Sequence, residues 1–265
     1  MHRRWKAAAA ALVTALAITT PALGAQVEVD GIPLTTDQAW ISGGTSYITL
    51  RAYAALTGAS LTWDGRQAIL EGEELLLQAQ PGEIYLTANQ RPLYIAGGVL
   101  VVDGKMALPL RTVAQATGAQ LTWDAQRGTA VLNTEGAVPA RADYDEEELD
   151  WLARIISAES RGEPLLGQIA VGNVVLNRVA DSRYPDTIQG VILDDNYGIQ
   201  FEPVANGTVY QEPTQSAVLA AKLCLEGASV VEDCLYFFAP ALSPGTWIVN
   251  NCTYVTTIGC HQFYR

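Results

Sequence analysis

The sequence is poor in histidine, poor in positive charge and, beyond its first two dozen residues, without a long apolar run. Only His2 and His261 carry imidazoles. Zinc amidases and zinc peptidases commonly gather two or three imidazoles around one ion, so that chemistry is excluded and no metal or other cofactor is expected. Lys and Arg number 16 against 28 Asp and Glu, a formal charge of −12. Nucleic acid, whose phosphates demand cations, is therefore excluded as a partner. Cysteine is absent until Cys224, and all four (Cys224, Cys234, Cys252 and Cys260) fall in the last 42 residues.

What is present begins with Arg3, Arg4 and Lys6 ahead of the run "AAAAALVTALAI", followed by the small residues "ALG" before Ala25. This is the pattern of a cleaved export signal over residues 1–24. The run is too short and alanine-rich for a comfortable span of about 20 strongly apolar residues, which leaves a retained anchor as the alternative. Loss of its three basic residues takes the charge to 13 − 28 = −15. In an exported chain, an even and clustered set of cysteines suggests two disulfides. Three pairings are open. Cys224 with Cys234 and Cys252 with Cys260 are favoured because each closes a short loop, worth about 2–3 kcal/mol in the chain-entropy model.

The chain matches itself when slid by 60 residues. "LRAYAALTGASLTWD" (50–64) lies over "LRTVAQATGAQLTWD" (110–124) with 10 of 15 positions identical. One supersecondary unit used twice is expected, neither copy burying its apolar face alone. Each copy reads as strand, short helix broken at Gly58 or Gly118, a strand carrying Trp63 or Trp123, and a further strand. The two tryptophans are expected to be paired core residues rather than sugar-stacking ones. Residues 26–134 thus form a small α+β domain, and this paired motif resembles the copper amine oxidase N-terminal-like domain found on exported proteins. The segment has neither histidine nor cysteine, so no copper site accompanies the resemblance.

Residues 135–144 change to proline, glycine and charge, the character of a linker. Asp145 then offers an N-cap with Glu148 three residues on, and a second domain is expected over 145–265. Leu149, Leu152, Ile156 and Glu159 recur at one helical face, which puts a carboxyl on the buried stripe where the helix stops. Desolvation favours the protonated form there and suits a general acid. The competing reading is a structural glutamate paired with Arg154, Arg161 or Arg178. The next helix, "LLGQIAVGNVVLNRVADS", is apolar nearly all round and is expected at the domain's centre.

Here the sequence resembles a second family. "LARIISAESRGEPLLGQIAVGNVVLNRV", "QFEPVANG", "LYFFAP", Trp247 and "TTIGCHQFY" resemble, in order, bacterial cell-wall hydrolases of the spore cortex-lytic enzyme type. The resemblance implies a lysozyme-like α+β catalytic domain acting on peptidoglycan glycan strands outside the cytoplasm, in a spore-associated setting. It implies a lytic transglycosylase with Glu159 as catalytic acid and base, and it implies that Arg161, Glu163, Gln200, Phe201, Glu202, Trp247 and His261 surround the substrate. The N-terminal module would dock on a wall polymer or protein.

A transglycosylase needs one carboxylate, whereas ordinary glycosidases use two. Glu163, Glu202, Asp194 and Asp195 are candidates for a second, and Glu202, in a loop, leaves a two-carboxylate muramidase open as the alternative. Glu163 is expected outside the helix, because Gly162 should end it. A Cys260–His261 peptidase pair is excluded, since neighbours on a strand face opposite ways. His261 is expected to be a satisfied histidine near the cleft, and Phe201 and Trp247 are the aromatics expected to line it. An inactive wall-binding scaffold or adhesion protein is the reading from another class.

Overall fold

Short alternating strands fill the first half of the chain and amphipathic or apolar helices the second, and a computed structural model arranges them as two α+β domains. It describes residues 26–196 and 200–265; the export segment expected at 1–24 lies outside the described residues.

The N-terminal domain holds three sheets. A five-stranded meander starts at Ser60–Trp63 and ends at Arg91–Tyr94. A second sheet has Thr45–Thr49 and Lys105–Pro109 at its centre, and in a third Gln26–Val29 runs parallel to Thr129–Asn133. The helices α1 (Leu50–Thr57) and α2 (Leu110–Thr117) leave the two central strands. Each stops at a glycine in the left-handed region, Gly58 at φ 73° and Gly118 at φ 74°, where any side chain would be strained. The central strands pair antiparallel with Ile48 opposite Leu108, residues 60 apart. That register puts an approximate two-fold axis between the copies. Ile48, Leu50 and Leu70 join Leu108, Leu110 and Leu132 in one core.

Trp63 and Trp123 are not in it. They are 55% and 56% exposed, which overturns the core assignment. Each sits at the end of an edge strand, in register with an alanine, Ala68 or Ala130, on the neighbouring strand. Two residues earlier on the same face, Leu61 and Leu121 stand opposite the buried Leu70 and Leu132, so the indoles lie past the edge of the core.

The linker lies along the first domain. Val138 packs its carbonyl against Gly118, and Asn89 Nδ2 donates to Ala140 O at 3.4 Å. Asp145 then caps α3 (Glu146–Ser160), its carboxylate accepting from the amides of Glu147 and Glu148, both at 3.0 Å. The second domain continues with α4 (Leu165–Ala180), α5 (Ile188–Leu193), α6 (Glu202–Ala205), α7 (Gln215–Leu225) and α8 (Thr246–Asn251). A three-stranded sheet of Tyr236–Phe238, His261–Tyr264 and Tyr254–Ile258 closes it. As its all-round apolarity requires, α4 is central, buried from Gly167 to Val175 between α3 and α7. Gly172 makes this possible: a Cβ there would come within 2.7 Å of Cys224 Sγ and 2.8 Å of Ile156 Cδ1.

The expected disulfides do not form; all four cysteines are free. Cys224 acts as a small core residue of α7, its thiol donating to Ile169 O at 3.4 Å. Cys234 belongs to a separate cluster with Ala170, Val174 and Phe263. Cys252 ends α8, whereas Cys260 lies in the exposed turn between the last two strands.

Candidate active site

Glu159 lies in the last turn of α3, one residue before the helix ends at Ser160. Leu152 and Ile156 on its stripe are fully buried, while Glu159 is half-buried at the rim. Among the described residues no hydrogen bond or ion pair holds its carboxyl. Burial foremost, and then the Glu202 carboxylate, pushes its pKa up to about 7 against the opposing pull of the Arg178 guanidinium. None of the expected ion-pairing alternatives, Arg154, Arg161 or Arg178, forms a salt bridge with Glu159. Arg154 binds Asp150 at 2.7 Å and the carbonyls of Tyr210 and Gln211, and Arg161, the C-cap, is exposed.

Arg178 comes from the last turn of α4 and is 5% exposed. Its Nε donates to Leu235 O at 2.8 Å, and its guanidinium carbon stands 5.1 Å from the Phe201 ring centre, 5.2 Å from Tyr184 and 5.8 Å from Tyr236. Three aromatic faces thus hold a charge that burial disfavours. Its Nη1 has no partner. Tyr184 donates to the Tyr236 hydroxyl at 3.2 Å, and desolvation followed by that bond pushes its own pKa up to about 12. Trp247, 60% exposed on α8, packs edge-on against Tyr236 at 5.6 Å, one ring removed from Arg178.

The remaining expected site residues divide. Glu202 opens α6 and is exposed; with Arg161 and Ala158 it lines a depression of about 390 Å³ at the end of α3. Gln200, half-buried, stands two residues before it. Phe201 is 2% exposed, so it supports the guanidinium from below and offers no face to a sugar, contrary to expectation. Glu163 lies beyond the helix end, as Gly162 led one to expect, but its Oε2 accepts from Cys260 N at 2.9 Å. That bond ties the turn after α3 to the last hairpin and gives Glu163 a structural role. His261 is buried, edge-on to Phe237 at 5.3 Å, and its Nδ1 has no partner, so it is not the fully satisfied histidine expected. Desolvation holds its pKa below the ordinary imidazole value. Asp194, another candidate, is buried and accepts both the amide and Nδ2 of Asn196.

Sequence reasoning missed Tyr184 and Tyr236 as walls of the Arg178 site. The available signal was Arg178 itself, since a guanidinium on a helix apolar all round must find aromatic or polar company.

Two family models match the chain: Cell Wall Hydrolase over residues 162–264, which begins just after Glu159, and Copper amine oxidase N-terminal domain over residues 20–132. A spore cortex-lytic enzyme of Bacillus cereus is 35% identical over 122 residues, 46% of this chain and 46% of that protein. The cell wall hydrolase CwlJ of Oceanobacillus iheyensis is 31% identical over 138 residues, 46% of this chain and 96% of that one. The catalytic domain of the germination-specific lytic transglycosylase SleB from Bacillus anthracis aligns at 33% identity, covering 48% of this chain and all of that domain, with a TM-score of 0.43. The chain spans about half the length of the spore cortex-lytic enzymes it matches. It belongs to the cell wall hydrolase family.

Proposed function

We propose that the protein is an extracytoplasmic, peptidoglycan-cleaving lytic transglycosylase in which Glu159 is first general acid and then general base. The observation that carries this reading is a carboxyl at the end of α3 that is half-buried, free of partners, and holds its proton near neutrality. Glu159 gives its proton to the bridging oxygen as the bond from muramic acid C1 breaks, and the glucosamine leaves with a free hydroxyl. The carboxylate, now favoured by Arg178, takes the proton of the muramic C6 hydroxyl while that oxygen bonds to C1. A 1,6-anhydro ring forms, the acid is regenerated, and no water is consumed. Exposed Trp247 supplies an apolar face for a sugar beside this centre. Kinship with spore cortex-lytic enzymes supports peptidoglycan as the substrate and a spore-associated location.

One observation favours a second reading. Glu202 is exposed and close enough to raise the Glu159 pKa, so it could activate water and make the protein a two-carboxylate muramidase. Digestion of purified peptidoglycan and analysis of the fragments tests both. Anhydro ends that vanish in Glu159→Gln support the first reading. Hydrolysed ends in the parent that vanish in Glu202→Gln support the second, and products unchanged in Glu159→Gln overturn both.

A further inference from the structure

The N-terminal domain carries the same groove twice. One groove, about 600 Å³, is walled by Arg51, Leu61, Thr62 and Trp63 of the first copy, facing Val101, Gly104 and Met106 of the second. The other, about 690 Å³, is walled by Arg111, Leu121, Thr122 and Trp123 of the second copy, facing Ile41, Gly44 and Ser46 of the first. Every one of these residues has its counterpart 60 positions away, so the two-fold axis through the central strands builds each groove from both copies. Both volumes fall in the range of small-ligand sites, about 300–1,000 Å³.

The chemistry of the walls repeats as well. Each groove offers an exposed indole, an aliphatic patch, a threonine hydroxyl and one arginine. Residues 26–134 contain six basic side chains. Arg66 bonds Gln80, Arg91 bonds Glu226, Lys105 bonds Asp37, and Arg127 bonds Glu28 and Asp124. Among the described residues, the two left without a partner are Arg51 and Arg111, one in each groove.

We propose that these are twin binding sites for a carboxylate-bearing glycan, each seating one sugar on its tryptophan and one carboxylate on its arginine. A pyranose presents an apolar C–H face to an indole and hydroxyls to threonine, and a guanidinium matches a carboxylate in bidentate geometry. A site used twice on one rigid body suits a ligand that itself repeats. The identification of that ligand as the peptidoglycan strand, with its acidic stem peptides, rests on the function proposed above. The two grooves together would hold the enzyme on its polymer between cuts, with avidity about 10²–10⁴-fold above either site alone.

The test is sedimentation of the full chain, carrying Glu159→Gln to spare the polymer, with peptidoglycan freed of protein and of other anionic polymers. Trp63→Ala and Trp123→Ala should each lower apparent affinity about 10²-fold, and the double variant should remain in solution. The pair Arg51→Gln and Arg111→Gln should weaken retention and abolish its sensitivity to salt. All four residues are exposed, so thermal midpoints should not move. Retention of the double tryptophan variant equal to that of the parent overturns the proposal, as does binding confined to wall material that still carries protein. Cutting of short soluble glycan by the wild-type chain reports on Glu159 separately. If it proceeds while the tryptophan changes have no effect, the groove assignment alone falls. If it fails while retention depends on the tryptophans, the catalytic reading falls instead.

Discussion

The proton on Glu159 couples function to stability. A carboxyl whose folded pKa is about 7, against an unfolded value near 4.3, binds its proton more tightly in the native state. Its contribution is fully present below pH 4 and is lost as pH rises through 7, at most about 4 kcal/mol over that window. Glu159→Gln should therefore raise the thermal midpoint at pH 8 and leave it nearly unchanged at pH 4, while removing cleavage by at least 10²-fold, the lower range of general acid catalysis. Thermal melts at the two pH values check the first part. Glu202 enters through its charge: Glu202→Gln removes one of the two causes that raise the Glu159 pKa, so the alkaline limb of the rate profile should move to lower pH. A limb that stays in place would mean that burial alone sets the proton's affinity.

At the scale of elements, the three-helix contact turns on Gly172. Alanine there gains about 1 kcal/mol of helix propensity but drives a methyl into Cys224 Sγ and Ile156 Cδ1, and such overpacking costs about 1–3 kcal/mol. Gly172→Ala should be net destabilising in urea titration, and adding Cys224→Ala should recover part of the loss, since the two side chains compete for one space. The same contact explains what the sequence could and could not disclose. The cap at Asp145, the end of α3 before Gly162 and the central place of α4 are local or periodic signals, and each is found where the pattern puts it. The fate of Cys224 depends on a long-range fit to a glycine 52 residues earlier, which no spacing rule contains. Glu159 was legible because a carboxyl interrupts an apolar stripe. Phe201 was misread because a cleft-lining ring and a ring beneath a buried guanidinium occupy the same kind of loop. The tryptophans were misread because alternation along a strand says which face a side chain takes, not whether another layer covers that face.

In the whole molecule the two domains meet at Glu226, at the C-terminus of α7. Its carboxylate accepts Arg91 Nε and Nη2, the latter at 2.7 Å, and the Tyr144 hydroxyl at 2.8 Å, while its carbonyl accepts Gln115 Nε2 at 3.0 Å. First domain, linker and second domain thus converge on one residue. Arg91 and Glu226 are only 11% and 10% exposed in their side chains, so the pair is screened little by water. Desolvation, then the bond to Glu226, holds the Tyr144 phenol well above its ordinary pKa, which keeps it a donor at any physiological pH. Around this knot Ile84, Tyr85 and Tyr94 of the first domain pack against the core of the second. Removing one member of such a pair leaves a buried charge without compensation, at about 3–5 kcal/mol. Glu226→Ala strands Arg91 and releases Tyr144 together, so the docking of the domains should fail before either domain does. Scanning calorimetry should then show the parent's single transition divide into two, and a protease should reach the linker at 135–144. If Glu226→Ala still melts in one transition, the apolar contact through Tyr85 and Tyr94 suffices to join the domains. In that case Arg91→Met in the same background, which removes the stranded charge, should restore the parent's midpoint.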